Sequence, residues 1–321
     1  MTASIPPTGA AKPNLRFVSC LGACKSSPNG QANALSHRMA YWDWPAQQGA
    51  DSGHLIIAVH GLTRTGRDFD VLARRLSAHA RVVCPDVVGR GRSDWLADPT
   101  GYQVPAYVGD MLSLLGQLVQ EAENNGQPIT RLDWIGTSMG GLIGLGFVTL
   151  PGLPIPVDKL VLNDVGPVLE WPSILRIGQY LGQFTQYANL QEGADYLRQI
   201  SGGFGPHTEA QWLALSQAMF RPLDNGQLTL HYDPAIAHPF KAMTAQDAQA
   251  GEAVLWSLYD QLKAKTLLLR GKNSDLLSPA TAAAMAARGP HATVLEIEGV
   301  GHAPTLVPEA QVEAVARFLL D

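Results

Sequence analysis

Residues 131–148, RLDWIGTSMGGLIGLGFV, set one serine between two glycines where a short apolar run passes into a longer one. Arg131 to Ile135 reads as a strand bounded by turn residues, and the stretch from Gly141 onwards reads as the start of a helix. Ser138 then occupies a sharp turn that lifts its hydroxyl above the carboxyl edge of a sheet, where open α/β folds place ligands. Gly136 and Gly140 permit the tight turn and a close strand-to-helix approach, and the helix N-terminus under Ser138 favours negative charge beside it. Gly-x-Ser-x-Gly alone occurs by chance in many proteins, so its meaning depends on the rest of the chain.

Other strand-like runs flank it on both sides: 37–44, 54–61, 80–89, 159–166, 265–271 and 293–299, each bounded by turn residues. Most are continuously apolar, the pattern of strands covered on both faces of a parallel sheet. Helix-length segments such as 68–80, 107–126 and 281–289 lie between them, several opening on Asp, Ser or Thr and closing on Gly. The alternation predicts a doubly wound, mostly parallel α/β sheet. It is broken once, at 167–259, by helical patterns that read as a cap inserted into a core of 37–166 and 260–321. Residues 1–36, rich in Pro, Ser, Gly and Asn, read as an irregular N-terminal extension with one short strand at 15–20.

Composition narrows the function classes. A 321-residue chain with 46% hydrophobic and 16% charged residues and a net charge of −5 has no basic excess to attract nucleic acid or an anionic membrane. No stretch has the roughly 18 apolar residues of a membrane helix, and the first residues lack the order of a secretory signal, so a cytoplasmic protein is expected. Cys20, Cys24 and Cys84 cannot all pair with one another. Cys84 reads as a buried thiol within a strand, and Cys20 and Cys24 as an incidental pair with no metal-site companions, so neither metal nor cofactor is expected.

A serine hydroxyl is a poor nucleophile near neutral pH unless a histidine takes its proton and a carboxylate holds that histidine's tautomer. His302 follows the last strand between small residues, and Asp275 follows the strand before it, so both fall on carboxyl-edge loops. Asp164 ends an earlier strand on the same edge and competes for the carboxylate role; Asp275 is preferred because Asp164 runs into the stiff Val-Gly-Pro that opens the insertion. Acyl transfer also needs backbone N–H groups facing the developing oxyanion, for which Met139 and Leu62 are the candidates. His60 reads as a shaper of the loop holding Leu62. Arg64 and Arg67 are candidate anion binders, with pairing to Asp68 or another carboxylate the stronger reading.

Taken together, HGLTRTGRDF (60–69), PDVVGRGRSD (85–94), GTSMGG (136–141), LVLNDVGP (160–167), RGKNSD (270–275) and GVGHAP (299–304) resemble the α/β-hydrolase family in their order and spacing. The resemblance, running from about residue 37 to the end, implies an eight-stranded sheet with a helical cap inserted after the sixth strand. It gives Asp86 and Ser93 a structural turn and no chemistry. A serine at the elbow argues against the dehalogenase and epoxide-hydrolase branches, which use aspartate there.

The expected activity is hydrolysis of small-molecule carboxylic esters with short to medium acyl chains through an acyl-enzyme on Ser138. Carbon–carbon bond hydrolysis and cleavage of hydroxyalkanoate oligomers are the alternatives, and a receptor-like ligand-binding protein is the non-enzyme one. Aromatic cap residues including Tyr180, Trp212 and Phe220 are expected either to line the acyl pocket or to pack the cap's own helices.

Overall fold

The computed structural model describes residues 12–26, 35–47, 49–50 and 53–321. Eight strands, β1 (Asn14–Leu21), β2 (Ser36–Trp44), β3 (His54–Val59), β4 (Arg81–Pro85), β5 (Arg131–Thr137), β6 (Val157–Asn163), β7 (Lys265–Gly271) and β8 (Thr293–Ile297), form one sheet in the order 1-2-4-3-5-6-7-8. β2 runs antiparallel to β1 and β4, and every neighbouring pair from β4 to β8 is parallel. The helices among the described residues are α1 (Asp70–Leu76), α2 (Val104–Asn124), α3 (Met139–Val148), α4 (Trp171–Tyr180), α5 (Leu190–Ile200), α6 (Glu209–Gln217), α7 (Ala237–Ala242), α8 (Ala245–Gln261), α9 (Pro279–Ala287) and α10 (Glu309–Leu320). None of them is long and apolar enough to cross a membrane.

The continuous apolar runs have the cause anticipated for them. Every residue of β3 is buried, because one core lies on the face covered by α2 and α3 and a second on the face covered by α1 and α10. Trp134 anchors the first of these. It stacks on Phe147 of α3 with ring centroids 4.9 Å apart, and its indole N–H donates to the Gly140 carbonyl at 3.2 Å.

Two features depart from the expectations. The short strand at 15–20 is part of a full edge strand, β1, in which Val18 and Cys20 face inward while their neighbours do not; that half-buried alternation is a weaker sequence signal than a buried run. Within the proposed irregular extension Cys24–Ser26 also forms a short strand, paired antiparallel with Trp95–Leu96, and residues 1–11 and 27–34 fall outside the described residues. The insertion between β6 and β7 carries α4 to α7 but also a small antiparallel sheet of Gln186–Tyr187, Phe220–Pro222 and Leu228–Leu230. Its hairpin closes where Leu223 N–H donates to Gln227 O at 2.8 Å and Gly226 takes a φ of 81°. α8 then packs on α3, and Tyr259 Oη donates to Met285 O at 2.6 Å, returning the chain to the sheet.

The approach of α3 to β3 is close enough that a Cβ at Gly140 would collide with the Val59 carbonyl oxygen. Gly140→Ala should therefore destabilise the fold by about 1–3 kcal/mol, seen as a lower urea midpoint at unchanged slope. An unshifted midpoint would mean that this contact does not hold the turn.

Candidate active site

Ser138 joins β5 to α3 with φ 51° and ψ −117°, a combination outside the regions that side-chain-bearing residues ordinarily occupy. The conformation is held from both sides. Ser138 N–H donates to Asn163 O at 3.0 Å, and the Ser138 carbonyl accepts from Gly141 N–H at 2.8 Å. Asn163 extends the brace, its Nδ2 donating to Thr137 Oγ1 at 3.0 Å and to Pro304 O at 2.8 Å. The end of β6 thus ties the serine turn to the loop carrying His302.

His302 Nε2 lies 2.9 Å from Ser138 Oγ, and its Nδ1 lies 2.7 Å from Asp164 Oδ2. With Asp164 ionised, Nδ1–H donates to the carboxylate and Nε2 is left to accept from the serine. The structure therefore puts Asp164, and not the preferred Asp275, behind the histidine. Asp164 is fully buried, and its carboxylate also accepts from Gly271 N–H at 2.8 Å and Ser274 Oγ–H at 2.6 Å. Asp275 is half-exposed and belongs to another contact: Arg176 of the insertion grips it through Nε at 2.8 Å and Nη2 at 3.1 Å. The stiff Val-Gly-Pro did not disqualify Asp164, because the turn is made at Asp164 itself, with φ 56°, a left-handed conformation that Asp tolerates better than most residues.

Leu62 and Met139 both border the cavity that contains Ser138. Met139 is the first residue of α3, so its N–H has no carbonyl within the helix to bond, and Leu62 N–H makes no hydrogen bond among the described residues. Sequence reasoning missed the residue that joins them. Arg90, fully buried, donates from Nε to Leu62 O at 2.9 Å and from Nη2 to Met139 Sδ at 3.6 Å, while Nη1 donates to Val88 O at 2.7 Å and Tyr107 Oη at 3.0 Å. One guanidinium thus spans both candidate N–H segments, a role no local pattern in RGRSD reveals.

His60 shapes the same loop as expected: Nδ1–H donates to Gly61 O at 2.7 Å and Nε2 accepts from Val87 N–H at 2.9 Å. Burial pushes this imidazole down to about 3, so it stays neutral. Arg64 pairs with Asp68 at 2.6 and 2.7 Å, and Arg67 pairs with Asp70 at 2.7 Å, as the pairing alternative required. Asp86 and Ser93 make the structural turn, Asp86 accepting from Gly66 N–H at 2.7 Å and Arg92 N–H at 2.9 Å, and Ser93 Oγ accepting from Ala40 N–H at 2.8 Å.

Two cavities meet at Ser138. One, of about 110 Å³, is bordered by His302, Thr305, Arg64, Arg176 and Tyr180. The other, of about 600 Å³, is bordered by Met139, Leu142, Ile174, Ile177, Phe240 and Met243. Of the aromatic cap residues singled out in the sequence, Tyr180 reaches a cavity, whereas Trp212 stacks on Phe204 and Phe220 packs edge-on against Tyr187 inside the insertion.

A strained serine after the fifth strand, hydrogen-bonded through histidine to a buried aspartate on the carboxyl edge of this sheet, is the arrangement of α/β hydrolases. The sequence profile of the alpha/beta hydrolase family matches residues 56–316, and the chain belongs to that family; it is a hydrolase. It is 46% identical over 314 residues to a 3-hydroxybutyrate-oligomer hydrolase of Cupriavidus necator, with 96% of this chain and 98% of the relative covered. An alpha/beta hydrolase of Novosphingobium aromaticivorans superposes with a TM-score of 0.76 at 32% identity over 97% of this chain and 99% of that one. An esterase of Mycobacterium tuberculosis, at 22% identity and a TM-score of 0.67 over 97% of this chain and 93% of its own, shares the fold.

Asp164→Asn should lower kcat for an uncharged aryl ester by on the order of 10³–10⁴-fold, by analogy with serine proteases, whereas Asp275→Asn should stay within about tenfold of the parent. Equal losses would return Asp275 to the reaction. A second expectation concerns pH. The unfolded chain protonates His60 near 6.5, but the folded chain does not until about 3, so the stability present above pH 6.5 is lost as pH falls through that window, by up to about 1.4 kcal/mol per unit. Urea midpoints at pH 7.5 and 5 should differ less in His60→Gln than in the parent; identical differences would contradict the assignment.

Proposed function

We propose that the protein is a serine esterase whose substrates are short oligomers of 3-hydroxybutyrate or close hydroxyacid esters. The Ser138–His302–Asp164 hydrogen-bond chain carries the reaction, and the 46% identity to an oligomer hydrolase over nearly the whole chain supports the substrate class. His302 Nε2 accepts the Ser138 proton as Oγ attacks the ester carbonyl. The oxyanion develops between the Leu62 and Met139 N–H groups. Asp164 keeps Nδ1 protonated and stabilises the imidazolium. When the tetrahedral intermediate collapses, His302 returns the proton to the departing alkoxide, and water repeats the cycle on the acyl-enzyme. A generic carboxylesterase would need the same residues; what favours a hydroxyacid chain is the pairing of a roomy apolar cavity with a smaller one that two arginines border. A cytoplasmic place of action suits three cysteines that are buried and free.

The test uses 3-hydroxybutyrate dimer and trimer beside an aryl butyrate, with parent and Ser138→Ala protein and an alkyl fluorophosphonate probe. The parent should cleave all three and take one adduct, and Ser138→Ala should lose at least about 10⁴-fold in turnover and take none. A Ser138→Ala protein that keeps most of its activity would end the reading, and oligomers left intact by a parent active on aryl butyrate would end its substrate class.

A further inference from the structure

We infer that Arg176 binds the free terminal carboxylate of the substrate, so that a hydroxyacid oligomer is cut at the ester nearest its carboxyl end and released one acid at a time. This rests on the ester-hydrolase reading above and adds to it the direction of cleavage.

The direction follows from which cavity holds which reacting group. The leaving oxygen takes its proton from His302 Nε2, and His302 borders the small cavity and not the large one. Met139, one of the two oxyanion candidates, borders the large cavity and not the small one. The alcohol fragment therefore departs into the small cavity, and the acyl fragment lies along the large apolar one. At about 110 Å³ against about 600 Å³ this is the smaller of the two cavities, and the shorter fragment suits it. In a 3-hydroxyacid only two carbons separate the leaving oxygen from the carboxylate, so a terminal unit brings its charge into that same small space.

Two arginines border it. Arg64 is committed: it is nearly buried, bound bidentately to Asp68 and donating through Nη2 to Leu215 O at 3.0 Å. Arg176 is not. Its pair with Asp275 is also bidentate, but the two side chains are 42% and 49% exposed, so the pair is screened by solvent and open to exchange for another carboxylate. An arginine fork matches a carboxylate better than an ester carbonyl, which accepts without charge. A terminal acid is thereby preferred over an internal ester at this position. In the step itself Ser138 Oγ forms a bond to the acyl carbon, the ester C–O bond breaks, and the proton that left Ser138 ends on the hydroxyl of the released acid. Water then adds its oxygen to the shortened oligomer as a new carboxylate.

That last atom reads the direction. Parent enzyme with 3-hydroxybutyrate trimer in ¹⁸O water should give, early in the reaction, labelled dimer and unlabelled monomer. The free-acid trimer should exceed its terminal carboxamide at least tenfold in kcat/KM, that ratio should fall towards one in Arg176→Gln, and Arg176→Lys should recover part of it. Comparing two substrates on the same sample cancels any loss of folded protein. Label in the first monomer, label in both products alike, or a parent ratio near one would overturn the inference while leaving the esterase intact. A parent that turns over aryl butyrate but neither trimer would remove the oligomer substrate class, and this inference with it.

Discussion

A carboxylate with no exposure to water has to be satisfied by the protein around it, and Asp164 is satisfied by three groups from two stretches of chain. The N–H of Gly271 comes from the end of β7, the hydroxyl of Ser274 from the loop after it, and His302 from the loop after β8. A buried charge left without partners costs far more than an exposed one, so these donors are held in place by the same need that holds the aspartate. The histidine is oriented as a result, and through it the serine hydroxyl. Asn163, the preceding residue, does the complementary work with neutral groups by tying the serine turn to the histidine loop.

Much of this was legible in the chain. Buried parallel strands announce themselves as continuous apolar runs, and the Gly-Thr-Ser-Met-Gly turn and His302 stand at strand ends where side chains of open α/β sheets converge. The choice between Asp164 and Asp275 was not legible, because it turns on a left-handed φ and on contacts between strands adjacent in the sheet but distant in sequence. Two signals do point to Asp164 once the topology is known: β6 lies next to β7, and Asp is among the residues that accept positive φ.

Arg90 was missed for a related reason. Its partners, Leu62, Val88, Tyr107 and Met139, come from different segments, and a buried guanidinium among carbonyls, a hydroxyl and a thioether leaves no periodic trace. Among the described residues no carboxylate is hydrogen-bonded to it, and its charge rests on the dipoles of carbonyls, a hydroxyl and a thioether. The cap aromatics show the converse case. Trp212 and Phe220 both pack inside the insertion, but only Trp212 does so from a helix, stacking on Phe204, whereas Phe220 lies on the small sheet and meets Tyr187 edge-on.

The insertion leaves the sheet just after Asp164 and returns to it on β7, whose last residue, Gly271, is hydrogen-bonded to Asp164. It is therefore a closed loop pinned at its base by the Gly271–Asp164 hydrogen bond, and lengthening such a loop adds only slowly to the entropy of closing it. Substitutions within the insertion can then reach the surroundings of Ser138 chiefly through the few side chains that border the cavities, Arg176 and Tyr180 among them. The insertion can thus change in sequence and length while its two ends stay fixed at Asp164 and Gly271.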